Sequence, residues 1–346
     1  MKTQTALVVL AAAAHSAAGR AVLRARAGSV GGIGETRPSP PRRHHLVRAS
    51  DGTGLAAYEW GDPEASVSVV LSHGWTLSSR LWSRQITVLS QHARVIAYDH
   101  RGHGGSDRSS PASCTVGQLG ADLAAVIDTL APEGRIVLAG HSMGGMTLMH
   151  LAEQRPDLIT ERVDGVVIVN SSSGDLSSSD FGFPGLFGSL ARRLGPHTMA
   201  GLGRLESWAE RRDSLAPEMW LAARALTFGP GAPAHLVDEM LGVVRHVPLG
   251  VVSAFYAGLA VHDGRAGLRV LDHTPTTILA GTEDRLTPLS HSLRIADAVP
   301  SAQLVTFDGA GHMLTLERPM EVAQAIAGYL GLGTGATQAG DLLVAQ

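Results

Sequence analysis

The chain of 346 residues is very poor in lysine and cysteine, and each shortage removes a class of chemistry. Lys2 is the only lysine. A P-loop, a Schiff-base lysine, a kinase-type ATP lysine and a Ser-x-x-Lys dyad are excluded together. Cys114 is the only cysteine, so no intramolecular disulfide and no thiolate metal cluster can form. Charged residues are 17% of the chain, against ~25% in an average globular protein, while hydrophobic residues reach 44%. That balance supplies a sizeable core and does not suit a solvating or disordered chain. A formal net charge of −3 leaves no electrostatic footprint for nucleic acid. At ~150 residues per domain, the length fits two domains or one large α/β domain with an insertion.

The N-terminus opens with an apolar run, Ala6–Gly19, broken only by His15 and Ser16. As a helix it would span about 21 Å, short of the ~30 Å hydrocarbon core of a bilayer. Its length also suits the apolar part of a signal peptide, with small residues near Ala14 and Ala18. Arg20, Arg24 and Arg26 follow it, and positive charge there tends to stay cytoplasmic. The expectation is a cytoplasmic protein in weak contact with a membrane through this segment; the alternative is secretion after cleavage. Residues 28–43 read as a Gly/Pro/Arg linker, because a dinucleotide-binding turn needs a preceding strand and a following helix.

From Leu46 onward, short apolar strands alternate with helical stretches, the pattern of a mostly parallel sheet. Strands are expected at Val67–Leu71, Val95–Tyr98, Ile136–Ala139, Val166–Val169, Thr277–Ala280 and Leu304–Phe307. Helices are expected at Val116–Leu130, Met143–Arg155 and about Glu317–Leu330. From Ser171 to about Arg265 only helical pieces appear, among them Arg204–Asp213 and Pro233–Arg245. The expected layout is therefore an N-terminal segment and linker over 1–45, a core over 46–170 and 266–331, a helical cap over 171–265, and a flexible tail over 332–346.

Gly140-His141-Ser142-Met143-Gly144 follows an expected strand and opens an apolar helix, the context that a G-x-S-x-G nucleophile turn requires. The turn projects Ser142 beyond the sheet, and the glycines two residues either side spare it colliding side chains. Serine needs a general base. Of 16 histidines, His312 lies just after the last expected strand, between glycines that leave room. Asp284, just after strand Thr277–Ala280, is the acid candidate, with adjacent Glu283 as its substitute. Strand ends are where open α/β sheets place such groups. Ser72-His73-Gly74-Trp75 follows another strand, where the Trp75 and Met143 backbone N–H groups could bind a developing oxyanion. His100 and His103 lack metal-ligand partners at suitable spacing and read as a structural turn.

Together these motifs resemble the α/β-hydrolase superfamily, in its cap-bearing serine esterase and lipase-like branch. The resemblance covers about Leu46 to Leu330 and includes the chain order Ser142, Asp284, His312. It implies two-step acyl transfer on a carboxylic ester, lactone or thioester, with no cofactor and no metal. The alternatives are a cofactor-free perhydrolase resembling non-haem haloperoxidases, and a ligand-binding protein that retains the fold. Relatives that keep their acid after the preceding strand would need a carboxylate where this chain has Asn170. The aromatic residues Phe181, Phe183, Phe187, Phe228, Phe255, Trp208 and Trp220 gather in the insertion. They suggest an apolar acyl pocket, with Phe183 and Phe187 as candidate contacts to a small-molecule ester.

Overall fold

A computed structural model describes residue 17 and residues 19–25, 39–176 and 216–331. Phe181, Phe183, Phe187, Trp208, the expected helix Arg204–Asp213, the tail 332–346 and most of the N-terminal segment lie outside the described residues.

The strands are β1 (Arg43–Arg48), β2 (Gly54–Trp60), β3 (Val67–Ser72), β4 (Arg94–Tyr98), β5 (Arg135–His141), β6 (Val163–Val169), β7 (Thr276–Gly281) and β8 (Gln303–Phe307). They form one sheet in the order β1-β2-β4-β3-β5-β6-β7-β8. β1 and β2 are antiparallel to their neighbours, and every pair from β4 to β8 is parallel. The helices are α1 (Ser83–Leu89), α2 (Val116–Leu130), α3 (Met143–Gln154), α4 (Pro156–Arg162), α5 (Ala216–Thr227), α6 (Ala234–Val244), α7 (Leu249–Ala260), α8 (Arg265–Leu271), α9 (Leu289–Ala298), α10 (Leu314–Glu317) and α11 (Pro319–Ala327).

The central strands β3 to β7 bury both faces, because successive side chains alternate across the sheet. Val69, Leu71, Val137, Ala139, Val167 and Val169 pack in one cluster with Trp82, which directly precedes α1, Ile86 of α1, and Val322 and Ile326 of α11. Val70, Ile136, Leu138, Val166 and Ile168 pack in the other with Leu123 and Ile127 of α2 and Leu148 and Leu151 of α3. Thr115 caps α2, its hydroxyl accepting from the Gln118 N–H at 3.1 Å. The expected C-terminal helix is α11, which opens at Pro319, a residue suited to the first helical turn.

The linker requires a correction. Its last residue, Arg43, and the two histidines after it belong to β1. This edge strand hides from a hydrophobic pattern because only Val47 is fully buried, and His45 is held by Glu59 at 3.2 Å. Upstream, residues 19–25 are helical and Val22 is buried in the α1-face cluster. Among the described residues, no single helix is long and apolar enough to cross a membrane.

Between β6 and β7 the described chain is helical, with one isolated bridge between Gly174 and Asp263. Trp220, Phe228 and Phe255 of this insertion are all buried. Phe255 packs with Met143 and Met146 at the start of α3, and Trp220 and Phe228 join the cluster on the α1 face of the sheet.

Candidate active site

Trp75, Ser142, Asp284 and His312 each follow the C-terminal end of a parallel strand, where the loops of such a sheet converge. Ser142 stands between β5 and α3 with φ 53° and ψ −117°. That conformation is strained for a residue with a side chain, and the surroundings must enforce it. A Cβ on Gly140 would lie 2.5 Å from the Gly144 carbonyl, and one on Gly144 would lie 2.1 Å from the Ser72 carbonyl oxygen. The first glycine therefore lets the turn close on itself. The second lets α3 ride directly on the end of β3. The Ser142 N–H donates to Val169 O at 2.9 Å, and the Ser171 hydroxyl donates to Ser142 O at 2.8 Å. Ser142 is half-buried between the fully buried His141 and Met143.

Asp284 and His312 meet in the structure. His312 Nδ1 donates to Asp284 Oδ2 at 2.8 Å, and both side chains are almost wholly buried. The other carboxylate oxygen, Oδ1, accepts from the Leu286 and Thr287 N–H groups at 2.8 and 2.9 Å. With Nδ1 committed to the carboxylate, Nε2 is left as the basic nitrogen of His312. Neighbouring Glu283 is exposed.

Three residues that local sequence does not single out hold this loop. Asn170, with φ 44°, donates through Nδ2 to Gly311 O at 2.9 Å and to His312 O at 2.8 Å. Its Oδ1 accepts from the Gly281 N–H at 2.8 Å, so it ties the acid loop to the histidine loop. His141 Nε2 donates to the same His312 carbonyl at 2.8 Å. Glu317 accepts from Gly311 N and from Gly229 N, both at 3.0 Å, joining the histidine loop to the turn between α5 and α6. Burial raises the Glu317 carboxyl above its ordinary range.

The Trp75 and Met143 backbone N–H groups have no partner among the described residues. Met143 opens α3, so its N–H is one of the helix's unpaired first-turn donors. Gly74 serves a neighbour of the nucleophile: a Cβ there would lie 2.8 Å from His141 Nδ1. Beneath this turn, His73, His100 and His103 pack ring against ring. His73 Nε2 accepts from His100 N at 2.9 Å, and His103 Nε2 accepts from Thr76 N at 3.2 Å. Burial depresses all three imidazoles, His100 to about 3 and His103 to about 4, so they stay neutral and structural. Nearby Arg101 is fully buried in a bidentate pair with Asp122. No group of three or more His, Cys, Asp or Glu among the described residues could hold a metal ion. A cavity of about 630 Å³ lies to one side, bounded by Tyr58, Trp60, Arg80, Asp99 and Val243; Ser142, Asp284 and His312 do not line it.

A mostly parallel eight-stranded sheet with a nucleophile turn after β5 is the architecture of the α/β-hydrolase fold. The family model described as the alpha/beta hydrolase fold matches residues 67–319, and the chain belongs to that family. A Pseudomonas syringae pv. syringae protein named as a carbamate hydrolase, RutD, is 29% identical over 269 residues, spanning 76% of this chain and 93% of that one. The non-heme chloroperoxidase of Streptomyces lividans is 28% identical over 284 residues, spanning 79% and 94%. Among solved structures, a thermophilic esterase from Thermogutta terrifontis superposes with a TM-score of 0.64 at 25% identity, over 83% of this chain and 98% of that one. The protein is a hydrolase of this superfamily.

Proposed function

We propose that the protein hydrolyses carboxylic esters with an apolar acyl group, lactones and thioesters included, through an acyl-enzyme on Ser142. The observation that carries this reading is the buried 2.8 Å bond from His312 Nδ1 to Asp284, which leaves Nε2 as the free basic nitrogen, while Ser142 on its strained turn directly follows His141, whose ring is bonded to the His312 carbonyl. Ser142 Oγ adds to the carbonyl carbon while His312 Nε2 takes its proton, and Asp284 stabilises the imidazolium. The Trp75 and Met143 N–H groups donate to the developing oxyanion, aided by the N-terminus of α3. Collapse breaks the bond to the leaving group, which takes the proton from His312. Water then adds to the acyl-serine by the same route and releases the acid. No step calls for a metal or a cofactor.

The Thermogutta relative is an esterase by name, which favours this substrate class. The Streptomyces lividans relative keeps a second reading in play, in which hydrogen peroxide replaces water as acyl acceptor. The test is a series of activated esters of increasing acyl length, run beside an aryl carbamate and beside peroxide-dependent bromination of a dye. Ester turnover that exceeds the other two and vanishes in Ser142→Ala is expected. Turnover of the carbamate alone, or of none of these, would overturn the ester reading.

A further inference from the structure

We propose that His141 and Asn170 are positioning residues that jointly hold the main-chain carbonyl of His312 and so fix its imidazole against Asp284. This inference rests on the reading of His312 as the general base. The loop that carries His312 has glycines at 309 and 311, and Gly309 takes a φ of 68°. Such a loop has little conformational preference of its own. Its peptide groups are therefore pinned from outside: Gly311 N by Glu317, Gly311 O by Asn170, His312 O by Asn170 and His141, and Met313 N by Thr227 O at 3.0 Å.

The two donors to His312 O come from different strands. His141 ends β5 and directly precedes Ser142, while Asn170 directly follows β6. The link through His141 is the shorter in consequence, because it ties the base to the residue beside the nucleophile. Its ring lies 4.9 Å from the His312 ring. Burial and the neighbouring His312 depress the His141 imidazole to about 3, so it stays neutral with its one hydrogen on Nε2, facing the carbonyl. Among the described residues His141 Nδ1 is buried without a partner, a cost that a purely space-filling side chain would not carry. Asn170 spends every polar atom on the same junction: its N–H donates to Leu279 O, and its own carbonyl accepts from the Thr287 hydroxyl.

The experiment compares His141→Leu, which removes the donor, with His141→Gln, whose amide can restore an N–H near the Nε2 position. Asn170→Gly, which tolerates a positive φ, removes the second donor. The readouts are the rate at which a serine-directed phosphonate labels Ser142, and the low-field proton resonance of His312 Nδ1–H. Melting temperatures identify folded variants. His141→Leu and Asn170→Gly are expected to slow labelling by about 10- to 100-fold, the scale set by misplacing a catalytic group by about 1 Å. His141→Gln is expected to return to within about threefold of the wild type, with its proton resonance restored. Folded His141→Leu or Asn170→Gly that labels at the wild-type rate with the resonance unchanged would overturn the proposal. So would a Gln variant as slow as the Leu variant, since packing and not donation would then be at work. If the wild type is not labelled at Ser142, the hydrolase mechanism fails instead, and the resonance alone still decides whether the carbonyl is a positioning point.

Discussion

Gly144 lies so close to Ser72 that a Cβ added to it would stand 2.1 Å from the Ser72 carbonyl oxygen. Neither backbone can yield easily, because Ser72 ends a central strand and Gly144 sits in the first turn of α3. The contact joins the nucleophile turn to the loop that carries Trp75.

Gly144→Ala is accordingly expected to displace the start of α3, and with it the Met143 amide and Ser142. Overpacking of this kind costs about 1–3 kcal/mol of stability. Ester turnover should fall further than stability does, by about 100-fold or more, since loss of one oxyanion donor alone costs about that much. Thermal unfolding and kcat of the purified variant check it, and wild-type turnover would contradict the geometry.

Asp284→Asn should fold and lose about three to four orders of magnitude in turnover, by analogy with the same change in a serine protease. The structure says why the amide cannot substitute. Oδ1 is claimed by two N–H donors, so the amide oxygen must remain there and the NH₂ must face His312 Nδ1. The imidazole then has to present its other tautomer. Exposed Glu283→Gln should stay within about tenfold of the wild type. Steady-state kinetics of the two variants decide the assignment, and a dead Glu283→Gln beside an active Asp284→Asn would reverse it.

Stability should fall as pH drops from 7 to 5. Burial depresses His100 and His141 to about 3 and His103, His262 and His291 to about 4, with His73 also well below 6.5. Between those values and 6.5 the unfolded chain binds protons that the folded chain does not, so stability is lost as pH falls through the window. Each fully buried histidine contributes up to about 2 kcal/mol of loss at pH 5, taking ~1.4 kcal/mol per unit over ~1.5 units. Glu317, raised by burial, acts in the opposite sense but is a single group. Urea unfolding at pH 7, 6 and 5 should give a slope of more than one proton; a flat profile would contradict it.

The parallel strands and the serine turn were legible in the sequence because both carry local signals: continuous β-branched runs, and two glycines at a fixed offset from Ser142. Local sequence offered both Asp284 and Glu283 as the acid; burial, which the sequence does not announce, separates them, with Asp284 buried and Glu283 exposed. β1 was hidden because an edge strand such as Arg43–Arg48 can be polar on most of its positions. The parts played by Asn170 and His141 could not be read at all. Asn170 lies 142 residues from His312 in the chain, and nothing near either residue announces the bond. Asn170 stood out only as a position lacking a carboxylate. Of the aromatic surplus in the insertion, Phe228, Phe255 and Trp220 are buried, while the candidate pocket residues Phe183 and Phe187 lie outside the described residues.

The most direct test of the account is to mix the protein with an activated ester, quench in acid within the first turnover, and map the added acyl mass by peptide sequencing. The account predicts one acyl group on Ser142, absent from Ser142→Ala and formed far more slowly in Asp284→Asn. An acyl group on any other residue, or ester turnover that survives Ser142→Ala, would contradict it.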